Sequence, residues 1–264
     1  MLSCTGVSQT AQPFFAVLLH HFFPERPIVV VTEGLKTQET FQEDISTWLA
    51  TQPKAPGAKS KGSAPDLSIA KVQPLFYPAW EILPHESKLP HADVISERLE
   101  TLIALTHHAS RITHHVPLVV TSVAALLQST FPRQAIVERT RTLKRGERID
   151  PLDLVEWLEA QGYEPEAQVT QKGEMALRGG ILDVYPITSP WPVRMEFFGD
   201  ELESLRHFDP LTQISREEIT GVTIPPGGEL GILKKESGNL GILLDYLPQQ
   251  AILLLCGIVD EIEP

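Results

Sequence analysis

The chain has 264 residues, 42% of them hydrophobic and 21% charged, which is the composition of a globular protein with one large or two to three small domains. Its net charge of -12 argues against nucleic acid as the main ligand, because affinity for a phosphate backbone needs clustered Lys and Arg. The two cysteines, Cys4 and Cys256, provide no disulfide framework and fit a reducing cytoplasm, and no stretch has the character of a membrane span or a signal peptide.

The first half of the chain alternates strand-like and helix-like segments. Apolar residues recur at helical spacing over 37–50 and again from Val94 onward, so a helix is predicted at each place. The predicted strands are 28–32, 75–77 and 118–121. Strands separated by helical segments indicate a parallel sheet, and we therefore expect an α/β domain over 1–131.

The pattern changes after residue 131. Residues 135–143 and 166–170 are strand-like. Between them, Asp150 is a good N-cap residue and Pro151 suits the first helical position, so a helix is predicted to begin there. Together with the strands that follow, this composition predicts a small α+β domain over 132–222.

From residue 223 onward the chain returns to the α/β pattern. Residues 242–247 are predicted to be helical and 251–255 to form a buried strand. The expected architecture is thus an α/β domain, comprising 1–131 and the truncated return 223–264, interrupted by an inserted α+β domain.

The inserted domain contains an antiparallel meander from Arg178 to Asp209, in which apolar and polar residues alternate. Because side chains alternate between the two faces of a strand, residues 193–198 divide into two rows. Val193, Met195 and Phe197 are predicted to be buried, whereas Arg194, Glu196 and Phe198 form the opposite row.

An aromatic ring beside an arginine on an exposed strand face has the composition of a binding hot spot. Arg194 and Phe198 are therefore expected to reach solvent next to Arg178 and to contact a protein partner. Two alternatives remain open from the sequence. Another element of the same domain could cover Phe198, and the arginines could pair structurally with Asp183 or Glu196.

No catalytic set stands out in the sequence. The stretch around Gly6, Ser8 and Thr10 lacks the second glycine and the lysine that a phosphate-binding loop needs, so nucleotide binding is not expected there. Four of the nine histidines are grouped at 107, 108, 114 and 115, where no cysteine or well-spaced carboxylate completes a metal shell. A solvated histidine-rich loop is the preferred interpretation, and a metal-dependent hydrolase is the alternative, which predicts stoichiometric metal in the purified protein.

Two runs in the meander carry a family resemblance. The runs Arg178–Pro186 (RGGILDVYP) and Pro192–Pro210 (PVRMEFFGDELESLRHFDP) resemble the inserted second domain shared by the bacterial repair proteins UvrB and Mfd, the transcription-repair coupling factor. Upstream, Trp80–Pro84 (WEILP) and Pro90–Leu99 (PHADVISERL) are similar to the corresponding stretch of the Mfd family. The similarity covers nearly the whole chain, which resembles the N-terminal UvrB-homology module of that family.

The resemblance favours Mfd over UvrB, because the loop around Gly6 is degenerate and the connection from Trp80 to Val94 is too short for a DNA-clamping hairpin. It implies a degenerate helicase-like, P-loop type parallel-sheet domain with an inserted UvrA-binding domain. It also implies a noncatalytic module that recruits UvrA to RNA polymerase stalled at a lesion, starting transcription-coupled nucleotide excision repair. The alternative is a UvrB-like ATP-dependent enzyme that processes damaged DNA.

By the same resemblance, the family's UvrA-contacting positions fall on Arg178, Arg194 and Phe198. No cofactor is expected in this chain, since the ATP and magnesium sites of the translocase motor would lie beyond Pro264. Contacts with RNA polymerase and DNA are likewise expected only through domains outside the chain. The resemblance thus implies that the chain is not itself an enzyme, and its cysteine content fits the cytoplasm.

Overall fold

The computed structural model describes residues 6–50, 73–82, 90–108, 116–233 and 240–257. Its contacts divide the chain into two compact units. Unit 1 takes in the described residues of Met1–Ala79, His107–Leu127 and Leu247–Pro264, and unit 2 those of Trp80–Thr106 and Gln128–Tyr246. The domain limits expected from the sequence, 1–131, 132–222 and 223–264, stay a prediction.

The regular elements are numbered in chain order. The helices are α1 (Gln12–Phe22), α2 (Leu35–Ala50), α3 (Ala92–His108), α4 (Val123–Leu127), α5 (Arg133–Glu138), α6 (Pro151–Ala160) and α7 (Leu230–Leu233). The strands are β1 (Ile28–Thr32), β2 (Leu75–Tyr77), β3 (Leu118–Ser122), β4 (Arg141–Lys144), β5 (Glu164–Pro165), β6 (Glu174–Arg178), β7 (Ile181–Val184), β8 (Val193–Phe198), β9 (Glu201–Phe208), β10 (Ser215–Glu218), β11 (Gly221–Ile224) and β12 (Ile252–Leu255).

Unit 1 is built on a four-stranded parallel sheet in the order β12, β1, β3, β2. Every residue of β1 and β3 is buried, as expected for central strands covered on both faces. On one side, α1 and α2 contribute Ala16, Val17, Phe41 and Ile45 to the core. The parallel sheet predicted from the alternation of strands and helices is confirmed.

Unit 2 is built on a six-stranded sheet in the order β10, β9, β8, β7, β6, β5, which is antiparallel except for the pairing of β5 with β6. Helix α6 packs Leu154 and Leu158 into the main core of this unit. The helix begins as predicted, because the Asp150 carboxylate accepts a hydrogen bond of 2.8 Å from the amide of Leu152 and Pro151 opens the first turn.

Two predicted strands were wrong in part. Residues 133–138 form the short helix α5 directly after Pro132, and only 141–144 pair as a strand. The branched residues Ile136 and Val137 favour a strand by propensity, but here they lie in the helix. Residues 166–170 form no strand, because the regular pairing stops at Pro165. The helix predicted over 242–247 is a shorter 3₁₀ helix, Leu243–Tyr246.

Candidate functional site

The six-stranded sheet of unit 2 has a core face and an open face. Val193 and Met195 of β8 are completely buried on the core face, and Phe197 packs against the same core while remaining half-buried. We call the opposite side the open face. The polar or exposed residues that alternate onto it are Arg178, Asp183, Arg194, Glu196, Phe198, Ser204 and Arg206, and the apolar residues Ala176, Ile181 and Phe208 share this face.

Phe198 is the most exposed ring on the open face. It is 80% exposed and ends β8, where Gly199, with a φ of 63°, begins the turn into β9. A register shift between Glu196 and Phe197 accompanies the change from buried to exposed residues. The prediction that Phe198 reaches solvent is confirmed, and no described element of the domain covers it.

Arg178 and Arg194 meet at one buried carboxylate. The Asp183 side chain is 0% exposed, and its two oxygens accept hydrogen bonds of 2.8 Å from Nε and Nη2 of Arg194. Nη2 of Arg178 donates a further hydrogen bond of 2.5 Å to Oδ2 of Asp183. The two predicted site arginines are therefore side by side, and the structural pairing with Asp183 that the sequence left open is real.

The prediction that Arg194 reaches solvent was wrong. Only 15% of its side chain is exposed, because its guanidinium lies 4.5 Å from the ring centre of Phe208 and contacts Gln213 at 3.4 Å. The hydrogen bonds to Asp183 raise the pKa of Arg194 above its ordinary value, so the group stays charged. Arg178, by contrast, is 47% exposed and remains accessible beside it.

A second polar group lies next to this cluster. Arg206 and Ser204 of β9 both donate to Oε2 of Glu196 on the neighbouring strand, the serine at 2.8 Å. These contacts, first that of Ser204 and then that of Arg206, hold the pKa of Glu196 below its ordinary value. The open face therefore carries charges of both signs on the same side of the sheet as the exposed ring.

Other sequence candidates give no comparable site. The hydroxyls of Ser8 and Thr10 lie 3.1 Å apart in the short 3₁₀ turn that precedes α1. His114 and His115 lie outside the described residues, so the metal alternative is not tested. Within the described part of the chain, no cluster of three or more His, Cys, Asp or Glu could hold a metal ion. Among the described helices, none is long and apolar enough to cross a membrane.

Gln213 is part of this site, although no pattern in the sequence singled it out. Its contact with Arg194 spans 19 positions along the chain and depends on a left-handed backbone, with a φ of 60°. Neither feature produces a periodic signal, although the preceding Asp209 and Pro210 mark a turn.

One known family model matches this region of the chain. Residues 142–229 match the family model of the UvrB interaction domain. The match includes β6 to β9 and therefore the whole of the open face. The resemblance predicted from the sequence is thereby confirmed.

Transcription-repair-coupling factors of several bacteria are similar to the chain. The protein from Haemophilus influenzae is 36% identical over 156 residues, which cover 58% of this chain and 13% of that relative. The one from Bacillus subtilis is 29% identical over 234 residues, covering 89% of this chain and 18% of the relative. The one from Mycobacterium bovis is 40% identical over 144 residues, covering 54% and 12%. The chain thus spans less than a fifth of the length of these relatives.

Proposed function

We propose that the chain is a noncatalytic module that recruits UvrA and so links stalled RNA polymerase to nucleotide excision repair. The observation that carries the proposal is Phe198, which is 80% exposed on the same sheet face as Arg178, two strands away, inside the stretch that matches the UvrB interaction domain. The similarity to transcription-repair-coupling factors supports a role in coupling transcription to repair.

The open face has the physical properties of a protein-binding surface. Phe198 sits on a strand, so ordering it on binding costs less than ordering a loop, and an aromatic ring contributes much area with few rotatable bonds. Arg178 adds a cation that can pair with a carboxylate of the partner. An aromatic residue and an arginine are the residue types that most often dominate binding energy.

The test is a titration of UvrA with the wild-type chain and with Phe198→Ala. Because the ring is exposed, its removal changes stability by no more than about 0.5 kcal/mol. We expect the binding free energy to weaken by about 2 kcal/mol, or about thirtyfold in Kd. The matched control is Leu152→Ala, which removes a side chain that is 67% exposed from α6 on the other side of the sheet. Equal affinity of Phe198→Ala and Leu152→Ala would refute the site.

We further propose that the α/β unit is a degenerate helicase-like domain without nucleotide binding. The parallel sheet and the absence of a lysine from 6–12 support this proposal. In this proposal, RNA polymerase, DNA, ATP and magnesium are bound only by parts of the longer relatives that this chain does not cover. A clear rise in melting temperature with ATP and magnesium would favour a UvrB-like enzyme instead.

A further inference from the structure

Strand β4 lies with β11 in a separate two-stranded sheet, apart from the six-stranded sheet and its open face. The two strands pair antiparallel, with Lys144 opposite Gly221 and Arg141 opposite Ile224. Among the described residues, no strand pairs with the other edge of β4. Three of its four residues are exposed, and only Leu143 is buried. An exposed strand edge of this kind is a template for another extended chain.

The direction of the backbone groups along β4 follows from its register. The amide of Arg145 donates to the carbonyl of Thr220 at 3.2 Å, so every second residue from 141 to 145 directs its backbone groups at β11. Those of Thr142 and Lys144 therefore point away from β11. The amide of Lys144 agrees with this direction, because it donates at 3.0 Å to the carboxylate of Glu147. Within the described part of the chain, the amide and carbonyl of Thr142 have no such partner.

The side chains along this edge favour a negatively charged partner. Residues 139–145 contain four cations and no carboxylate, although the whole chain has a net charge of -12, and β11 adds no charged residue. Two carboxylates contact the segment: Glu147 at the Lys144 amide, and Glu218, 3.9 Å from Arg145 in an exposed pair that holds it weakly. The segment therefore keeps an excess of positive charge. Its four cations are Arg139, Arg141, Lys144 and Arg145.

A peptide matches this edge better than a phosphate backbone does. An extended peptide supplies a carbonyl for the Thr142 amide and an amide for the Thr142 carbonyl, whereas phosphate oxygens only accept hydrogen bonds. A second copy of the chain is disfavoured, because two β4 strands side by side would bring like charges together. Carboxylates of an added strand, in contrast, would lie beside Lys144 on one face and beside Arg141 on the other, where the guanidinium lies 4.9 Å from the ring centre of Trp157.

We propose that β4 is a docking strand for an extended, acidic segment of a partner protein, which adds a third strand to the sheet of β4 and β11. The backbone of the segment pairs with Thr142, and its carboxylates pair with Arg141 and Lys144. This surface uses no residue of the open face, and it does not depend on UvrA being the partner there. The chain thus has a second interaction surface, selective for acidic segments.

The probe for this surface is a dye-labelled peptide of about ten residues in which pairs of glutamates alternate with pairs of threonines, so that carboxylates lie on both faces of the extended chain. It is titrated against the whole chain by fluorescence anisotropy. We expect Lys144→Glu to weaken binding about tenfold, because it places like charges together. The matched control is Lys36→Glu, at an exposed lysine of α2, which should bind within about twofold of wild type. Equal affinities of these two variants would overturn the proposal.

The backbone contact has its own test. Thr142→Pro removes an amide that points away from β11, so the pairing of β4 with β11 should persist and the melting temperature should stay close to that of wild type. We expect it to weaken peptide binding about fivefold, whereas Thr142→Val, which keeps the amide, should bind like the wild type. A fully N-methylated peptide of the same sequence asks the same question without any change in the protein. Unchanged affinity of that peptide would overturn strand addition.

A short DNA duplex distinguishes a phosphate backbone from an acidic peptide. At about 0.15 M salt we expect the duplex to bind more weakly than the peptide, because the chain as a whole is acidic. Tighter binding of the duplex that is lost in Lys144→Glu would overturn the choice of a protein partner. Failure of the folded wild-type chain to bind the peptide at millimolar concentration would overturn this inference, and it would leave the proposal about UvrA untouched.

Discussion

The buried ion pair between Arg98 and Glu229 should control the stability of unit 2. Both side chains are 0% exposed, and the Glu229 carboxylate accepts hydrogen bonds from Arg98 at 2.8 and 3.1 Å. It also accepts from Thr130 at 2.6 Å and from the indole of Trp80 at 3.2 Å. The Trp80 ring in turn stacks on the guanidinium at 4.5 Å. One carboxylate thus joins four segments of the unit.

Glu229→Gln should remove this support without changing the size of the side chain. It removes the negative charge that faces Arg98 inside the protein, and breaking a buried pair in this way costs about 3–5 kcal/mol. At about 3 °C per kcal/mol for a unit of this size, the melting temperature should fall by on the order of 10 °C. Urea unfolding followed by circular dichroism measures the free energy directly.

The control is a pair on the surface of the same unit. Arg145 and Glu218 lie 3.9 Å apart with side chains that are 60% and 73% exposed, so Glu218→Gln should change stability by less than about 0.5 kcal/mol. The double variant Arg98→Met/Glu229→Gln should recover part of the loss, because neither member of the pair is then charged. A loss of less than about 1 kcal/mol in the free energy of unfolding for Glu229→Gln would show that the buried pair does not control the stability of unit 2.

Three further outcomes are expected. Gly180→Ala should cost about 1–3 kcal/mol in urea unfolding, because the added Cβ would lie 2.9 Å from a backbone carbonyl of the neighbouring strand. The hydrogen bond from Ser204 is the main cause that holds the pKa of Glu196 below its ordinary 4.5, so the charged carboxylate contributes stability above pH 4.5 that is lost as the pH falls through the folded pKa. Glu196→Gln should therefore reduce the dependence of the unfolding free energy on pH on the acid side. Burial raises the pKa of Cys256 to about 11, so in a Cys4→Ser background a thiol reagent at neutral pH should react much faster after denaturation than before.

Local sequence patterns predicted the strands and faces that depend on neighbours in the chain. Alternation along β8 placed Val193 and Met195 in the core and Phe198 in solvent, and all three assignments are confirmed. The N-cap at Asp150 was equally local. The mixed α/β class, with a parallel and an antiparallel sheet, followed from the order of these elements and is confirmed as well.

Contacts between distant segments could not be predicted in the same way. Arg98 and Glu229 are 131 positions apart, and no periodicity reports that they meet. The burial of Arg194 depends on Phe208 and on the turn at Gln213, both supplied by the next strand and its end. Alternation predicts on which face of the sheet a side chain lies, whereas its burial on that face depends on contacts with other segments of the fold. The assignment of Arg178, Arg194 and Phe198 to UvrA stays a prediction for the same reason.

Amide hydrogen exchange of the chain with and without UvrA tests directly whether the open face binds UvrA. We predict that UvrA slows exchange at the two turns that border the open face, 179–180 and 199–200, since each adjoins Arg178 or Phe198. Exchange in α6, on the core face of the same sheet, should be unchanged. Slowed exchange confined to α6 or to the helices of unit 1, with both turns unaffected, would contradict the proposal that the open face binds UvrA.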